Sequence, residues 1–156
     1  MAGLKRQGAS GFFGCLSVIV IIAGIVATFI CSSANAAYAL SSLGAIVGLE
    51  IAAVLLALCA LIVNGRSDRR ATFGILPTLC SVIVLMLTIG RLINERILLI
   101  SGLFSYNSQN TAGWQVFYIT VAAVVLLLAS VLCQIIGAFL APHKSTKAAP
   151  AQQAGA

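Results

Sequence analysis

Apolar positions in this chain come in unbroken runs, not in alternation. Four runs, about residues 11–31, 38–64, 74–93 and 114–140, are separated by short polar stretches. The first holds 21 residues. At 1.5 Å per residue that is about 31 Å of helix, enough to cross the ~30 Å hydrocarbon layer of a bilayer. Strands of a membrane barrel alternate apolar and polar positions, and these runs do not. The pattern predicts an all-α integral membrane fold, an antiparallel bundle of four transmembrane helices. Residues 1–10 form a polar head. Residues 141–156, rich in Ala, Gln and Lys, read as a disordered tail. Pro142 ends the last run, because proline cannot continue the hydrogen-bond ladder.

Composition agrees with this reading. The chain is 61% apolar and 8% charged. A soluble domain has about half and about a quarter. The formal net charge is +6, but the basic residues sit in small groups between the runs. That placement speaks for topology and contact with anionic lipid, and against nucleic acid. Lys5, Arg6, Arg66, Arg69, Arg70, Lys144 and Lys147 would share one side, and Arg91 and Arg96 the other. The positive-inside rule then puts both termini in the cytoplasm, with the chain in the cell membrane. Phe104, Tyr106, Trp114, Phe117 and Tyr118 gather at the opposite ends of the last two spans, as an aromatic belt would. A cleavable leader is the competing reading of the first run, with Ala34-Asn35-Ala36 as its cleavage site. That run exceeds the ~7–15 apolar residues of such leaders.

The candidate chemistry is sparse. Glu50 is the one Asp, Glu, Lys, Arg or His between Leu40 and Val63. It lies about ten residues into its run, close to the bilayer midplane, where a carboxylate costs about 2.5–3.5 kcal/mol on insertion scales. It calls for a partner, a proton or a water-filled cavity. One reading makes Glu50 a proton or ion carrier. The other makes it an inter-helix anchor, with Arg91 as the nearest cation and Gln134 as a further polar group able to bond across helices. Gly44, Gly48 and Ala52 form a small-residue stripe on the opposite face of the same span, suited to close helix packing. That face fits either a central place in the bundle or an interface with another subunit. Ala129, Cys133 and Gly137 form a similar row.

Arg91 and Glu95 are spaced to pair along one helix face. Leu92, Ile93, Ile97, Ile100 and Phe104 around them form an apolar face, either a continuation of the third span past the membrane or an amphipathic segment lying on the outer surface. The five cysteines, Cys15, Cys31, Cys59, Cys80 and Cys133, read as small buried hydrophobes, with no C-x-x-C spacing and no clustered ligands for a metal. No phosphate-binding loop, nucleophile elbow, zinc-protease motif or carboxylate pair is present. The expectation is a non-enzymatic protein without cofactor or metal.

Gly74-Ile-Leu-Pro-Thr-Leu-Cys-Ser-Val-Ile and Ser101-Gly-Leu-Phe-Ser-Tyr resemble a group of small four-span proteins of Gram-positive bacteria. That group has no established activity, and some members occur near sugar-import genes. The resemblance implies an accessory membrane subunit. Small proton-coupled multidrug transporters also have four spans, but their essential glutamate lies in the first, whereas Glu50 is in the second. The expected function is therefore an accessory or assembly subunit of a larger membrane complex such as a transporter, in contact with lipid and with a membrane partner or further copies of itself. The alternative is a small proton- or cation-coupled transporter using Glu50.

Overall fold

The computed structural model describes the backbone of residues 2–66, 71–105 and 109–140, and the side chains of 9–63, 75–105 and 109–140. The basic loop around Asp68, Tyr106 and the tail beyond Leu140 lie outside the described residues. Four α-helices carry the fold: α1 (Ala2–Ser33), α2 (Leu43–Arg66), α3 (Ala71–Ser105) and α4 (Thr111–Phe139). No strand occurs among the described residues. Each helix contains a stretch long and apolar enough to cross a membrane: Ala9–Ser33, Leu43–Val63, Ile75–Ser105 and Thr111–Phe139. In hydrocarbon a helix satisfies its own backbone, which is why continuous apolar runs take this form.

Polar residues set the helix ends. The Asn35 side chain accepts from the Ala37 N–H and starts a short 3-10 turn, Ala36–Tyr38. The Ser42 carbonyl accepts from the N–H groups of Ala45 and Ile46, opening α2. The second span therefore starts at Leu43, not at Tyr38 as its hydropathy suggested. Asn110 caps α4 through its side-chain oxygen on the Gly113 N–H, at 3.0 Å. Helix α3 runs on unbroken past residue 93, where the third span was expected to end, to Ser105. Good helix formers fill much of residues 91–100, and Glu95 and Arg96 among them find partners without breaking the ladder.

The helices form a closed ring. α1 on α4 and α2 on α3 are the two most extensive pairings, and α1 on α2 and α3 on α4 complete it. The main core joins Ile21, Ala53, Ala57, Leu85, Ile89, Leu127 and Val131. A second cluster joins Leu40, Ile46, Leu92 and Ala123. Large apolar side chains such as Ile19, Leu55, Leu79, Leu98 and Leu132 point outward. Exposed apolar surface on every helix suits a lipid solvent and would be untenable in water. Phe104, Trp114, Phe117 and Tyr118 form one aromatic cluster, with Phe104 edge-on to Trp114 at 5.2 Å between ring centroids.

Candidate functional site

Glu50 projects into the ring from α2 and is fully buried. Its Oε1 accepts a 2.8 Å hydrogen bond from the Thr28 hydroxyl on α1. Its Oε2 has no partner among the described residues. Helical spacing brings the two together. Thr28 continues the inward stripe of α1 through Ser17, Ile21 and Gly24, and Glu50 continues that of α2 through Ile46, Ala53 and Ala57. A bond of this kind between membrane helices contributes about 0.6 to 1.7 kcal/mol. A buried polar atom left unpaired costs about 1–3 kcal/mol. Glu50 is thus expensive if stability is its only role.

Arg91 does not compensate it. Arg91 is exposed, and Glu50 takes its hydrogen bond from Thr28 instead. The arginine that does enter the bundle is Arg96, only 3% exposed. Five residues separate the two, which rotates them by about 140° around the helix. Arg96 instead follows Ser81, Leu85 and Leu92 on the buried stripe of α3. That spacing was the overlooked sign in the sequence. Its Nη1 donates to the Tyr38 carbonyl at 2.5 Å. Its Nη2 donates to the Cys31 carbonyl at 3.4 Å and lies 3.2 Å from the Cys31 sulfur. That sulfur is 3.0 Å from the Thr120 hydroxyl of α4.

Glu95 does not pair with Arg91 either. Its Oε1 accepts from the Ser42 N–H at 3.0 Å and from the Ser42 hydroxyl. This sets a carboxylate at the start of α2, where the helix dipole favours negative charge. Asn110 adds a third tie, donating to the Tyr38 hydroxyl at 2.6 Å. The α1–α2 link is therefore clasped by α3 and by the cap of α4.

Gln134 forms a separate network. Its Nε2 donates to the Ser81 hydroxyl at 3.1 Å, and that hydroxyl donates to the Ala53 carbonyl at 3.0 Å. This joins α4, α3 and α2 but not Glu50. Ile21, Leu85 and Leu127 belong to the main apolar core. Glu50, Arg91 and Gln134 are thus not one site.

The glycine stripe of α2 is not covered by any described residue. Gly44 and Gly48 are exposed, and a Cβ on either would meet nothing within 4 Å. Ala52 is half-buried. Among the described residues this face is therefore not central to the bundle. Close packing inside the ring uses other glycines. A Cβ on Gly24 would lie 2.8 Å from Leu127 Cδ2, and one on Gly137 would lie 3.3 Å from Phe13 Cβ. The Ser10 hydroxyl also donates to the Gly137 carbonyl at 2.8 Å. Gly137 belongs to the small-residue row seen in the sequence; Gly24 was missed. Among the described residues no group of His, Cys, Asp or Glu is arranged to hold a metal.

No family model, curated protein or solved structure matches the chain.

Proposed function

We propose that this chain is a non-enzymatic subunit of a larger assembly in the cell membrane, such as a transporter, built as an antiparallel bundle with both termini in the cytoplasm. The observation that carries this reading is the open face of α2 at Gly44 and Gly48. Two glycines one turn apart and facing out let a second helix backbone approach closely. Among the described residues nothing packs against them. Helix propensity argues the same way, since glycine inside a helix costs about 0.5–1 kcal/mol relative to alanine. The test follows from the open space. A Cβ at either glycine meets no described residue within 4 Å, so with both changed to leucine the isolated protein is expected to keep its fold. In gentle detergent the variant loses the membrane proteins that co-purify with the wild type. Full retention of those partners removes the basis of the proposal.

The second reading is a small proton- or cation-coupled transporter. The unpaired Oε2 of Glu50 favours it. In reconstituted vesicles Glu50→Gln would then abolish substrate-driven proton flux. An assembly subunit shows no change in flux with this variant, which separates the two.

A further inference from the structure

Of the other buried polar atoms without partners among the described residues, Glu95 Oε2 and Arg96 Nε lie in the clasp on the α1–α2 link, and three lie elsewhere: Ser17 Oγ on α1, and Ser130 Oγ and Gln134 Oε1 on α4. All three residues are at most 5% exposed. The contacts of α1 with α4 bring them to one level. Ser10 bonds to Gly137, and Gly24 packs on Leu127. Ser17 is midway between Ser10 and Gly24, so it stands opposite the stretch midway between Gly137 and Leu127. Ser130 and Gln134 bracket that stretch and are one turn apart on the buried face of α4.

The hydrogen-bonding needs of these atoms are complementary. Each serine hydroxyl has a proton to give. Serines in helices usually give it to the carbonyl one turn back, and these two do not. Gln134 has already donated from its nitrogen to Ser81, so its oxygen needs a donor. One water molecule meets all three, accepting from the two hydroxyls and donating to the amide oxygen. Buried waters typically make about three such bonds. A metal cation fits poorly, because none of the three residues is acidic and an unneutralised charge in this interior is costly.

We propose that a bound water sits in the seam between α1 and α4, held by Ser17, Ser130 and Gln134. It completes a hydrogen-bonded chain through all four helices. Ser17 of α1 reaches Gln134 of α4 through the water, Gln134 reaches Ser81 of α3, and Ser81 reaches the Ala53 carbonyl of α2. The proposal is independent of the assembly reading.

Side-chain amide spectra of glutamine-labelled protein in lipid nanodiscs test it, with Gln134→Leu identifying the Gln134 signal. Although buried, that amide shows magnetisation transfer from water in the wild type. The combined Ser17→Ala and Ser130→Ala changes abolish the transfer, while the signal itself persists. Persistence shows that the helices still pack. An amide with no transfer in the wild type overturns the proposal, as does transfer that survives both serine changes. A chemical shift of the Gln134 amide that tracks added sodium or potassium overturns it in favour of a cation. If the double variant does not fold, each single serine change is read in the same way, and either must weaken the transfer at least severalfold.

Discussion

Arg96 and Arg91 show how much one residue's rotation on a helix decides. Both are arginines in the same polar stretch of α3, yet one is buried with two backbone carbonyls to serve and the other faces out. Replacing Arg96 with methionine keeps an unbranched apolar stem and removes the donors, leaving the Tyr38 and Cys31 carbonyls without them. Loss of a hydrogen bond to a charged group costs about 1.5–3 kcal/mol. We expect Arg96→Met to destabilise the protein by about 2 kcal/mol in denaturant titration in detergent. Arg91→Met should stay within about 0.5 kcal/mol of wild type. Equal effects would contradict the burial of Arg96. The prominence of Glu50 could be read directly from its solitude in an apolar run. Its partner could not, because a threonine in such a run carries no mark distinguishing it from other inward threonines. Gln134 was visible for the same reason as Glu50, and Ser81 was hidden for the same reason as Thr28.

At the scale of the element, runs of apolar residues gave the four helices but not their faces. Runs apolar on every side have weak periodicity, so the sequence does not say which stripe meets a neighbour. The ends were harder still. Tyr38 and Leu40 look like membrane residues, yet they belong to a link whose shape depends on Asn35, Ser42 and contacts from α3. Glycine shows the same ambiguity, since a close packing position and an open one read alike. The two kinds separate experimentally. Gly24→Leu drives a side chain into Leu127 and should cost about 1–3 kcal/mol. Gly48→Leu should leave the stability of the isolated chain unchanged or slightly raised. Parallel denaturation of the two variants checks this. A Gly24 variant as stable as the wild type would argue against the tight α1–α4 seam.

For the whole molecule, charge asymmetry is the only guide to orientation, and it makes a sharp prediction. Cysteines placed in the polar head and in the tail should both resist an impermeant maleimide applied to intact cells. A cysteine replacing the exposed Gln109, in the α3–α4 link, should react. Labelling of one terminus but not the other from outside would refute an even number of crossings. Burial adds a control. Cys31 is enclosed by Arg96 and Thr120, so it should stay unmodified in the native protein.

The clasp on the α1–α2 link also has a consequence for biosynthesis. Tyr38 leaves the ribosome long before Arg96, which is 58 residues further along. Asn110 comes later again, 72 residues beyond Tyr38. α1 and α2 are therefore made while their connecting segment is unsecured, and α1 waits for its most extensive neighbour until the last helix is made. A nascent chain stalled before α3 would expose that segment to proteases, and only the finished polypeptide would withstand them.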